Sequence, residues 1–99
     1  MKTLSYKKML MARFRKNPKE AIDYLNAALE DNDPKVFLIA LRDVAEAYGG
    51  VGAVAKKARL NRVSLYRMLS ENGNPEISSI DRLLKTLGLQ LAVKLKEIA

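Results

Sequence analysis

Apolar residues recur at helical three- and four-residue spacing along most of this chain and change to simple alternation only near its end. Residues 5–15 begin the series, with Ser5 as a candidate N-cap and a loose apolar face of Met9, Leu10, Met11 and Phe14. The next helix is better marked. Asn17 can cap it, Pro18 takes the first helical position, where its missing N–H costs nothing, and Glu20 completes a capping-box spacing. Ile22, Leu25 and Leu29 form its apolar stripe, with Glu20, Asp23, Glu30 and Asp31 on the other side. Asp33-Pro34 repeats the start signal, and Phe37, Ala40, Leu41, Val44 and Tyr48 hold helical spacing until Gly49-Gly50.

Short helices are predicted over 51–58, carrying Val51, Val54, Ala55 and Ala58, and over 62–71, with Asn61 as cap and Leu65, Met68 and Leu69 facing inward. Asn72-Gly73-Asn74-Pro75 is a dense turn cluster. Ser78 and Asp81 read as a capping box ahead of Ile80, Leu83, Leu84 and Leu87, and Gly88 ends that helix. Beyond it Leu89, Leu91, Val93 and Leu95 alternate with Gln90, Ala92, Lys94 and Lys96, which is strand spacing. A lone strand is unstable, so this one is expected to pair with its copy across a two-fold axis or with a partner's sheet.

Composition narrows the function. The 99 residues suit one small domain, and 48% hydrophobic content can build its core. Cysteine, histidine and tryptophan are all absent, which removes disulfides, thiol nucleophiles, Cys/His zinc sites and imidazole bases. The chain is therefore not expected to be an enzyme, and neither cofactor nor metal is expected; Asp31 and Asp33 read as helix-boundary residues. No apolar stretch is long enough to span a bilayer, so a cytoplasmic protein without membrane contact is the expectation.

Charge is segregated. The net charge is +7, yet residues 1–16 carry six bases and no acid, 17–50 three bases and seven acids, and 51–88 seven bases and three acids. Separate blocks of opposite sign suit separate partners. They also suggest a division into a basic N-terminal helix (1–16), an amphipathic helix (17–33), a DNA-binding region (34–88) and a tail (89–99).

Val51 to Leu69 reads as a helix-turn-helix. Ala55 is the small residue where the two helices cross, Leu60 pins the turn, and Asn61 caps the second helix. With Leu65 and Met68 inward, Arg62, Val63, Ser64, Tyr66 and Arg67 lie on or near the free face. Arg62 and Arg67 suit bidentate bonds to guanine N7 and O6, Val63 a thymine methyl, and Ser64 a base edge or phosphate. Tyr66 either covers the helix edge or stacks on nucleic acid. Lys56, Lys57 and Arg59 sit where such motifs meet the DNA backbone, and Asn72 can offer a donor to a phosphate.

The chain resembles the antidote (antitoxin) proteins of type II toxin–antitoxin modules, of the HigA-like, Cro/C1-type (XRE) helix-turn-helix family, from about Pro18 to Val93. The matching stretches are Tyr24-Leu25-Asn26-Ala27-Ala28-Leu29-Glu30, Ala40-Leu41-Arg42-Asp43-Val44-Ala45 with Tyr48-Gly49-Gly50, Leu65-Tyr66-Arg67-Met68-Leu69-Ser70 with Gly73-Asn74-Pro75, and Leu87-Gly88-Leu89. The resemblance implies an all-α, lambda-repressor-like helix-turn-helix domain, here with an N-terminal helical extension and a short C-terminal β-strand. It further implies a homodimer on double-stranded operator DNA that represses its own operon and neutralises a small basic RelE/HigB-like toxin. Glu20, Asp23, Glu30 and Asp31 are the candidate toxin-docking residues. Two positions depart from the pattern: Arg59 stands where the turn commonly has glycine, and Val51 where many such repressors place a phosphate-binding glutamine. The alternatives are a stand-alone helix-turn-helix regulator and a protein-interaction module that does not bind DNA.

Overall fold

Three predicted helix starts, Asn17, Asp33 and Asn61, carry a side chain that accepts a bond from one of the first free N–H groups, and all three are used. The computed structural model describes residues 2–96, and side chains from residue 6 onward. Six helices follow in order: α1 (Lys2–Lys16), α2 (Pro18–Leu29), α3 (Pro34–Ala47), α4 (Val51–Ala58), α5 (Arg62–Met68) and α6 (Ile77–Thr86). The architecture is all-α, compatible with a helix-turn-helix type of fold.

Local chemistry explains the breaks. Asn17 accepts from the Lys19 N–H at 3.2 Å, and Asp33 from the Lys35 N–H at 3.0 Å, each ahead of a proline at the first helical position. Gly49 and Gly50 turn the chain between α3 and α4 at φ 111° and 96°, where a side chain would be strained. The core lies where α3 meets α1, α2 and α4. Phe14, Leu25, Leu41, Val44, Val51, Val54, Leu65, Leu69 and Leu83 are all buried there.

Five expectations need correction. Residues 89–96 have no regular structure, so the C-terminal strand is not formed among the described residues; 97–99 lie outside them. A strand needs a neighbouring ladder for its N–H and C=O groups, and a helical bundle offers none. The first helix begins before Ser5, which therefore cannot be its cap. In α2 the inward side is Ala21, Leu25 and Ala28, leaving Ile22 and Leu29 40% and 58% exposed. Small residues face α3 there because the two helices pack closely, and hydrophobicity alone does not reveal that. Finally, α6 starts at Ile77 with Glu76 as N-cap and no side-chain cap bond; Asp81 instead pairs with Lys85 at 3.0 Å, one turn on. The helix after the turn is also shorter than the predicted 62–71, with Leu69 as its C-cap.

Polar ties hold α1 against the bundle. Asp43, only 8% exposed, accepts a hydrogen bond from the Tyr24 hydroxyl at 2.7 Å and pairs with Lys7 at 3.6 Å, joining α1, α2 and α3. Burial first, then the bond to Asp43, raises the Tyr24 phenol well above its ordinary value. The Phe14 ring stacks obliquely on Tyr24 at 5.0 Å, and the Tyr48 hydroxyl donates to the Phe14 carbonyl at 3.1 Å.

Candidate nucleic-acid interface

Two short helices packed on each other create the outward face. Ala55 of α4 is buried in the core, and Leu65 and Leu69 anchor α5 from below. Arg59 adopts φ 57° and ψ 42°, the left-handed conformation that favours glycine. The strain is held by the turn itself. The Leu60 N–H bonds the Ala55 carbonyl at 2.9 Å, the Arg59 N–H bonds that of Lys56 at 3.2 Å, and Arg82 on α6 donates to the Arg59 carbonyl at 3.5 Å. Asn61 then caps α5, accepting from the Ser64 N–H at 3.0 Å.

This turn brings most of the sequence-derived candidates to the surface. Lys56, Lys57, Arg59, Asn61, Arg62, Val63, Ser64, Arg67 and Asn72 are exposed, and Tyr66 is half-buried. Val63 is a large apolar side chain standing 64% exposed beside two arginines. Among the described residues, Lys56, Lys57, Arg59, Arg62 and Arg67 form no ion pair. Coulomb attraction to acids within the chain is thus not what holds these cations. A polyanion can take them without first breaking a pair.

The loop after α5 is set by contact: a Cβ on Gly73 would collide with the Met68 carbonyl, so only glycine lets the chain turn back there. One neighbour escaped sequence reasoning. Arg42 of α3 lies over the Tyr66 ring at 5.5 Å, with Arg62 over the same ring at 5.8 Å. Arg42 and Tyr66 stand 24 positions apart, and no local spacing signals that they meet.

The acidic candidates on α2 divide in two. Glu20 is already engaged, its carboxylate receiving Arg13 Nε at 2.8 Å and Nη2 at 2.9 Å. That hydrogen bonding holds the Glu20 carboxyl below its usual range, against a partial desolvation that pushes it up. Asp31 accepts the Asp33 N–H at 2.9 Å and shapes the α2–α3 loop. Asp23 and Glu30 are exposed and make no ion pair among the described residues.

Residues 5–95 match the family described as "Probable addiction module antidote protein". The chain belongs to this family. The antidote is also similar to an uncharacterized protein of Haemophilus influenzae, with 34% identity over 76 residues that cover 77% of each chain. No solved structure matches it. An addiction module antidote implies a toxin of some kind as its partner. No helix among the described residues of this antidote is long and apolar enough to cross a membrane.

Proposed function

We propose that the antidote is a HigA-like, Cro/C1-type DNA-binding protein with a lambda-repressor-like domain, which represses its own operon and neutralises a RelE/HigB-like toxin by direct contact. The reading is of a cytoplasmic binding protein, not an enzyme. The observation that carries it is the outer face of α5, where Arg62, Val63, Ser64 and Arg67 stand exposed beside Lys56, Lys57 and Arg59, which form no ion pair among the described residues. Such a face suits a major groove, with arginine reading guanine and the α4 lysines neutralising phosphates. Val51, buried at the start of α4, brings no phosphate-binding side chain, and Arg59 adds an exposed cation at the other end of that helix.

A homodimer places two such faces on half-sites one helical turn apart, about 34 Å. Leu91, Val93 and Leu95, at 42%, 100% and 93% exposed, are apolar surface that a second copy can cover. Toxin contact is assigned to the α2 side, and its weight falls on Asp23 and Glu30, since Glu20 is held by Arg13 and Asp31 by its own loop. A basic toxin supplies the complementary charge.

Binding to the promoter region of its own operon tests the reading. Arg67→Ala costs about 1–3 kcal/mol on the operator and relaxes one base pair per half-site, whereas Lys57→Ala weakens binding to every sequence alike. Affinity that ignores salt would instead indicate an interaction module without DNA binding. Reversing Asp23 and Glu30 to lysine weakens toxin binding; if operator binding persists and no toxin is bound even by the wild type, the antidote acts as a stand-alone regulator.

A further inference from the structure

Arg42, Arg62 and Tyr66 form a cluster that the interface as described does not explain. Two guanidinium groups share one aromatic ring, at 5.5 and 5.8 Å from its centre, and neither forms an ion pair among the described residues. Like charges repel, so such a pair is an odd arrangement for stability alone. The ring offsets part of that repulsion by presenting its negative face to cations.

Gly52 points the same way. It lies in the first turn of α4 and has no positive φ that would call for glycine, and glycine inside a helix is destabilising relative to alanine. Its missing side chain is nevertheless used. A Cβ there would stand 3.3 Å from Nε of Arg62 and 3.5 Å from its Cδ, so the arginine lies in the trough that glycine leaves. Arg62 is thus bounded on two sides, by Tyr66 one turn further along α5 and by the bare backbone of α4. A long exposed arginine ordinarily samples many rotamers and gives up that freedom on binding.

We propose that Tyr66 and Gly52 form a rack that fixes Arg62 for reading one base pair in each half-site, and that Arg42, on the same ring, binds a neighbouring phosphate. This rests on the DNA-binding reading above. Tyr66 and Gly52 are positioning residues; Arg62 and Arg42 make the contacts. The half-buried stem of Arg42 suits an anchor for a phosphate, and the missing counter-charge leaves both cations available to the DNA.

The test uses the full chain and a pool of randomised duplexes, taken through rounds of selection and read by sequencing, with salt titrations on the selected duplex. Wild type and Tyr66→Phe enrich the same motif, because phenylalanine keeps the ring. Tyr66→Leu relaxes one base pair per half-site about tenfold and leaves the others unchanged. Gly52→Ala raises Tm, since alanine suits the helix, yet relaxes that same base pair by displacing Arg62. A residue serving stability alone cannot move those two readouts in opposite senses. Arg42→Gln lowers the slope of log affinity against log salt by about one contact and spares the motif. If wild type enriches a motif that both Tyr66→Leu and Gly52→Ala retain in full, the rack is overturned and the DNA reading stands. If wild type enriches nothing and binds without salt dependence, the DNA reading fails and takes the rack with it.

Discussion

The two ends of this antidote differ in how the fold uses positive charge. Around α1 and α2, Arg13 closes a two-bond pair with Glu20, and Lys7 reaches the buried Asp43 that Tyr24 also holds. Around α4 and α5, five cations stand exposed with no acidic partner among the described residues, two arginines crowd one tyrosine ring, and a glycine makes room for one of them. At the first end the fold pairs two of its cations, while Lys8, Arg15 and Lys16 form no ion pair among the described residues. The second end keeps its five cations at the surface. Net charge alone conceals this difference, because the most basic stretch of sequence, residues 1–16, contributes the arginine and a lysine that are already paired.

The largest expected effect breaks the first end. Phe14 is fully buried between α1 and the bundle, so Phe14→Ala costs about 3–5 kcal/mol in denaturant unfolding and frees α1. An unfolding free energy like that of wild type would mean that α1 is only loosely attached. The next effect is alkaline. The folded state raises the Tyr24 phenol, so its contribution is fully present below the ordinary phenol value near 10 and is lost as pH rises beyond it. Wild-type stability therefore falls above that pH, and Tyr24→Phe, though weaker at neutral pH, is flatter across the same window.

A smaller change probes the other end. Arg59→Gly relieves a left-handed arginine and gains about 1 kcal/mol of stability while weakening DNA binding at low salt. Stability gained without loss of binding would place Arg59 outside the phosphate contacts. The smallest effect belongs to Glu20. Its carboxyl is held low by Arg13, so the pair contributes above the ordinary carboxylate range and is lost as pH falls through the lowered value. Glu20→Gln removes that acid-side dependence, and moderate salt masks it in wild type because the pair faces solvent.

Much of the fold was legible in local patterns. Asn17-Pro18, Asp33-Pro34 and Asn61 each announced a helix start, and each caps one in the structure, because capping needs only neighbours two or three residues away. The turn through Arg59 was legible too, as an arginine where glycine is common. Patterns misled where the deciding partner lay elsewhere: the alternating tail implied a strand that has no ladder, and the Ser78–Asp81 spacing implied a cap that Glu76 takes over.

By itself, the sequence determined the order of the helices, the short turn between α4 and α5 and the outward set on α5, since all three follow from periodicity and caps within a few residues. Only the tertiary structure decided which charges are spent inside the molecule and which remain. It placed Arg13 on Glu20, Lys7 and Tyr24 on Asp43, and Arg42 beside Arg62 on Tyr66. The reason is distance: electrostatic and aromatic contacts act over a few ångströms in space, and close packing of helices brings together residues that no spacing along the chain connects.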